Sequence, residues 1–177
     1  MENQRTQLKV AMNYGTLYGL AGVAIFLLFY FLGTDIQSKL PQWISFCVLI
    51  IFIVMGIKSY RDEDLGGNIG YGKSLGTGTL ISFFGGIITA AFTVVFFKYI
   101  APEMIQRIID STQQKLVDEG MSDDKIEMAM SYTRKFMTPM WLFTFSVISS
   151  TFMGFLFSLI ISIFMKKEDS PFNTNIG

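Results

Sequence analysis

The stretch VAMNYGTLYGLAGVAIFLLFYFL, residues 10–32, decides what kind of protein this is. Its 23 residues include no Asp, Glu, Lys or Arg. At about 1.5 Å of rise per helical residue, such a run crosses a hydrocarbon layer of roughly 30 Å. Three more uncharged runs follow, at Trp43–Ile57, Leu75–Phe97 and Met140–Met165. Backbone groups in lipid must bond within their own segment unless a barrel closes, so the four isolated runs predict four membrane helices, the shortest, Trp43–Ile57, being completed at its ends by Pro41, Gln42 and the snorkelling stem of Lys58.

The expected fold class is therefore all-α. We read a four-helix transmembrane bundle with spans at about 10–32, 41–59, 75–100 and 139–165, and an extramembrane amphipathic helical hairpin at 102–138 between spans three and four. The spans leave too few of the 177 residues for a separate soluble core, so the chain reads as a single integral membrane domain. Arg5 and Lys9 before an apolar run resemble the start of a signal peptide. However, the run continues through Ile25–Leu32 beyond its small residues, so it reads as a retained anchor.

Helix punctuation agrees with the spans. Pro41, Pro102 and Pro139 are placed to open helices, where a missing N–H is harmless. In the hairpin, Ile105, Ile108, Ile109, Thr112 and Leu116 recur at helical spacing, Gly120 can end that helix, and Ser122 can cap the next. Ile126, Ala129, Thr133, Phe136 and Met137 form the second stripe. Tyr30, Trp43, Tyr99 and Trp141 fall at the four span ends that share one membrane face, as an aromatic belt would. Basic residues near span ends on the opposite face favour both termini in the cytoplasm.

Composition narrows the chemistry. Fourteen basic residues balance fourteen acidic ones, which gives no attraction to nucleic acid. Histidine is absent, which removes the commonest general base and metal ligand, and no cofactor or metal is expected. The single Cys47 reads as a small packed residue. Residues 67–74, GNIGYGKS, satisfy the phosphate-loop pattern, yet a membrane helix and the acidic run Asp62–Asp64 precede them instead of a buried strand. Nucleotide binding is not expected. Met121, Met128, Met130 and Met137 in the hairpin read as core filler, since no His or Cys accompanies them.

Two sets of residues are candidates for function. Small residues four apart, Gly15 and Gly19 in span one, Gly78, Ser82 and Gly86 in span three, and Ser146, Ser150, Gly154 and Ser158 in span four, form ridges that let helix backbones approach closely. Spacing alone leaves open whether each ridge meets its own chain or a second copy. Lys58, Tyr60, Arg61, Tyr71 and Lys73, around the turn between spans two and three, suit an interfacial contact with lipid headgroups or a partner.

Tyr14-Gly15 through Gly19, the segments Gly56–Asp62 and Gly66–Lys73, and Pro102-Glu103 with Gly120–Ser122 together resemble the family called domain of unknown function 4199. The resemblance covers nearly the whole chain. It implies a four-span protein of the bacterial inner membrane and brings no activity, ligand or catalytic residue with it. The expected role is structural or accessory, acting through helix packing and contacts with the bilayer, a protein partner or a second copy. The alternative is a small transporter or channel component with a Ser/Thr-lined path. An enzyme is not expected, because the carboxylates lie on loops without a partner base.

Overall fold

The computed structural model describes residues 5–34 and 39–167; both chain termini, expected in the cytoplasm, lie outside the described residues. Six α-helices form: α1 Gln7–Phe31, α2 Lys39–Ser59, α3 Tyr71–Val95, α4 Glu103–Asp118, α5 Asp123–Phe136 and α6 Pro139–Met165. Among the described residues there is no β-strand, and an isolated antiparallel bridge joins Ile69 to Lys167. The protein is an all-α helical bundle, as the sequence predicts. Four helical segments, Gln7–Phe31, Lys39–Asp64, Tyr71–Ile100 and Pro139–Met165, are long and apolar enough to cross a membrane.

The surface of these segments shows which solvent they need. Phe31, Met140 and Phe164 are each about four-fifths exposed, and Leu28, Ile51, Phe145, Ile148 and Ile160 are exposed as well. At about 25 cal/mol per Å² of apolar surface, leaving such side chains in water is costly, whereas lipid tails solvate them.

Helix ends follow local chemistry. Thr6 caps α1, its hydroxyl accepting from the Lys9 amide at 3.4 Å. Gly33 closes the other end in the left-handed region with φ 65°. There the Gly33 amide donates to Tyr30 O and the Thr34 amide to Phe29 O, both at 3.1 Å, which satisfies carbonyls the helix would leave open. Gly120, expected as such a terminator, has φ 72° and repeats the pattern after α4, with Gly120 N bonded to Val117 O and Met121 N to Leu116 O. Pro139 opens α6 as expected, but Pro102 stands at the N-cap of α4 and Pro41 is already inside the first turn of α2. Ser122 occupies the N-cap of α5 without a capping bond, so Asp123 and Asp124 carry the favourable interaction with that helix end.

Two π-helical turns were not foreseen. They extend α2 through Tyr60–Asp64 and α3 through Phe96–Ile100, the latter closed by Ala101 N on Phe96 O at 2.9 Å. Each takes one more residue per turn than an α-helix, a change that hydrophobic periodicity does not record.

By its internal packing the chain gathers into two compact units. One comprises residues up to Thr89 together with those from Ile148 onward; its core is Val10, Leu49, Ile53, Ile57, Tyr60 and Ile69, with Tyr14, Tyr18, Phe157 and Ile161 packed against it. The other is Ala90–Val147, and in it α4 and α5 bury Ile109, Ile126 and Met130 between them, with Ile105, Leu116 and Met137 alongside. Met130 holds the core place that the stripe assigned to Phe136, which is half-exposed and meets Trp141 edge-on at 5.2 Å.

Candidate functional site

The small-residue ridges of α3 and α6 meet within the chain. The Ile69–Lys167 bridge starts an antiparallel register that continues up the helices, with Gly78 against Ser158 and Ser82 against Gly154. A Cβ placed on Gly154 would overlap Ser82 Oγ and Cβ. One placed on Gly78 would overlap Ser158 Oγ and lie 2.9 Å from Ile53 Cγ2. Each glycine thus receives a serine from the opposite helix. The same register sets Ser74 beside Ser162 and Gly86 beside Ser150, and Gly86 is buried. Ser150 Oγ donates across the interface to Ser82 O at 3.1 Å. Ser146, assigned to the same ridge, belongs to the other unit and is half-buried there.

The α1 ridge also docks on α3, through a residue the sequence reading missed. A Cβ on Gly15 would stand 2.7 Å from Phe84 Cβ and 2.8 Å from Ile81 O, and one on Gly19 would stand 2.7 Å from Ile88 Cβ and 3.0 Å from Gly85 O. Gly85 is the counterpart: a Cβ there would lie 3.0 Å from Gly15 O and overlap the Tyr18 ring. It lies one residue from the Gly78–Gly86 row, roughly 100° around the helix, so a search along one face passes over it. On α2, Gly56 makes room for Ile81 and Tyr14.

The hydroxyls of this interior fall into two groups. Ser82 Oγ donates to Gly78 O at 3.1 Å, and Thr77 Oγ1 donates to Lys73 O at 2.7 Å while accepting from Gln7 Nε2. Ser74, Ser158 and Ser162 are fully buried, and their Oγ atoms have no hydrogen-bond partner among the described residues.

The interfacial set divides. Lys58 and Lys73 are exposed. Tyr60, expected among headgroups, is instead 7% exposed and part of the core around Ile57 and Ile69. Tyr71 donates its hydroxyl to Leu159 O at 3.4 Å, and Arg61 pairs with Asp62 at 2.7 Å and reaches Met165 O.

Beside them is an ionic clamp that no local pattern announced. The Arg5 amide donates to Asp64 Oδ1 at 2.7 Å, and its guanidinium reaches Asp64 Oδ2 at 2.9 Å, Glu63 Oε2 at 2.5 Å and Ser59 Oγ at 3.0 Å. Ser59 Oγ in turn donates to Glu63 Oε1 at 3.0 Å. The Asp64 side chain is 5% exposed, and this arginine is the cation that offsets its burial. The hydrogen bond to Asp64, with the pull of both carboxylates, raises the Arg5 pKa against the opposing effect of burial. A base whose pKa rises on folding gives stability below its unfolded value and loses it only above the folded one; for arginine both lie far above neutrality, so Arg5 stays charged in ordinary buffers.

The phosphate-loop look-alike turns its amides inward. Gly67 N donates to Arg61 O, Ile69 N to Lys167 O and Ser74 N to Gly70 O. Gly66 and Gly67, at φ 66° and 94°, make the turn that this pairing needs. Of the hairpin methionines, Met104 and Met130 are buried and Met137 is packed beside Met130, whereas Met121 and Met128 are exposed. Cys47 is free and exposed on α2, not packed as expected. Among the described residues no group of three or more His, Cys, Asp or Glu is placed to hold a metal ion.

Close-packed apolar spans of this kind define a multi-pass α-helical membrane protein. The chain belongs to the family described as Protein of unknown function (DUF4199), whose sequence model matches residues 13–167. No curated protein and no solved structure matches it.

Two predictions follow from this geometry. Gly154→Ser should force two hydroxymethyl groups into one space and destabilise the bundle by about 1–3 kcal/mol. Adding Ser82→Gly, which exchanges the two side chains across the interface, should restore most of that loss. Unfolding in mild detergent measures both variants, and a double variant no more stable than Gly154→Ser would show that these positions do not interlock.

The clamp predicts a contrast between arginines. Arg5→Gln leaves a buried carboxylate without its cation and should cost about 1–3 kcal/mol. Arg61→Gln, whose partner Asp62 is 41% exposed, should cost about 0–1 kcal/mol. Equal losses in the same unfolding assay would contradict the assignment.

Proposed function

We propose that this protein is a structural or accessory component of the bacterial inner membrane, acting through helix packing and through protein–protein contacts of the α4–α5 hairpin, with no cofactor and no catalysed reaction. The observation that carries this reading is the interlock of α3 and α6. Ser82 and Ser158 already occupy the space beside Gly154 and Gly78, so the face richest in hydroxyls is filled by side chains rather than open to a solute. The hairpin supplies a surface for contacts, since Val117, Met121 and Met128 expose apolar side chains on a helix pair that has its own small core. The bilayer is one partner. A protein or a second copy is the other, and nucleotides and nucleic acids are not partners.

One observation favours the transport alternative: three buried hydroxyls, on Ser74, Ser158 and Ser162, lie in one register without hydrogen-bond partners among the described residues. Purified protein in proteoliposomes decides between the readings. The structural reading expects flux of sodium, potassium and protons no greater than in empty vesicles. A photocrosslinker at Met128 in native membranes should also give a discrete protein adduct. Flux proportional to protein, or no adduct, would turn the assignment toward transport.

Orientation has its own test. In a Cys47→Ser background, Ser122→Cys should react with a membrane-impermeant thiol reagent added outside, and Lys166→Cys should not. The opposite labelling would invert the topology.

A further inference from the structure

The α4–α5 hairpin buries one face of α5 and leaves the opposite one bare. Ile126 and Met130 point into the hairpin core. At roughly 100° per residue, Asp124, Met128, Tyr132 and Lys135 fall in one row on the other side of the helix. Burial agrees, since all four are exposed, Met128 by 64% and Tyr132 by 57%. The row has an apolar centre, an acid at one end and a base at the other. Among the described residues neither Asp124 nor Lys135 is in an ion pair.

Such a row is complementary to itself when turned end for end. In an antiparallel pair of α5 helices related by a twofold axis, the same flank of each helix meets its counterpart. Setting Asp124 of one copy level with Lys135 of the other brings the remaining Lys135 level with the remaining Asp124, so both ion pairs form at once. The same register puts Met128 within about 1.5 Å of the level of Tyr132 in the second copy, and the apolar centres meet as well. Lys125 lies on the other flank, about 13 Å along the axis from its own counterpart, so no like charges are brought together.

Other occupants match this row less well. Helices that rest on a bilayer carry mostly Lys and Arg on their polar side, whereas α5 has three acidic residues, Asp123, Asp124 and Glu127, against three basic ones, Lys125, Arg134 and Lys135. A second copy brings the matching charges by construction and is confined to the same membrane.

We propose that the exposed row of α5 docks against the same row of a second copy in an antiparallel, twofold-symmetric pair; this rests on the accessory reading above and names its partner. Two copies in one bilayer share their orientation, so the twofold axis stands along the membrane normal and α5 lies across it.

The test uses the full chain in native membranes with Cys47→Ser, so that an introduced cysteine reports alone. With Met128→Cys a short bis-maleimide should join two copies, and with Asp123→Cys, on the flank away from the row, the yield should be roughly tenfold lower. In the Met128→Cys background, Asp124→Lys and Lys135→Asp each turn both attractive contacts repulsive, and each should lower the yield roughly tenfold. Mixed in one membrane, these two variants regain both attractive contacts and should crosslink to each other at close to the original yield, with helix content by circular dichroism unchanged throughout. Equal yields at Met128 and Asp123, or a mixture no better than either variant alone, would overturn the proposal. The photocrosslinker at Met128 separates it from the reading it rests on. Adducts solely with a different protein overturn the second copy and keep the accessory role, whereas adducts solely with lipid put the row on the bilayer and overturn both.

Discussion

Helices already inside a bilayer gain nothing from hiding apolar surface, because lipid tails are as apolar as leucine. What holds them together is contact at short range, and dispersion falls off so steeply that a gap of 0.5–1 Å removes about a quarter to a half of it. The unit containing the termini is organised around that constraint, and α3 is its centre. One face of α3 receives Gly15 and Gly19 of α1 around Gly85, another takes Ser158 and Gly154 of α6 at Gly78 and Ser82, and Ile81 fits over Gly56 of α2. Three neighbours approach one helix closely because glycine or serine stands wherever a larger side chain would hold them off.

Electrostatics enters at the end of the helices. Arg5, just before α1, grips Ser59, Glu63 and Asp64, which sit where α2 widens into its π turn. The residues before the first span are thereby fastened to the residues after the second. The pair lies outside the longest apolar run, where charges are affordable, yet Asp64 is buried enough that its loss of hydration has to be offset by the guanidinium.

The spans were legible because lipid imposes a coarse rule: long runs without charge become helices. The small-residue rows were legible too, since a four-residue repeat is a local pattern. Their partners were not, because pairing depends on residues far apart in sequence, such as Gly78 with Ser158 or Arg5 with Asp64. Gly85 was missed because α3 uses two faces and the search followed one. Tyr60 was placed among headgroups by the general habit of tyrosines at span ends, but the π turn that begins with it lies against Ile57 and Ile69. In the hairpin the two helices and Gly120 were readable from local signals, whereas the exchange of Phe136 for Met130 in the core was settled by how α5 meets α4 and α6.

The alternation of glycine and serine across α3 and α6 also limits motion. If α6 slid by one helical turn in either direction, glycine would face glycine at one level and leave a void, while Ser82 would lose the notch at Gly154 and face a serine instead. Neighbouring helices lined with uniform leucine or alanine tolerate such slips, because one turn looks much like another. Here the sequence of notches behaves as a key cut for a single depth, so the pair resists axial sliding and the ratchet-like shifts that many membrane proteins use. A shift of α6 along α3 would first have to separate the two backbones far enough to lift each serine out of its glycine notch.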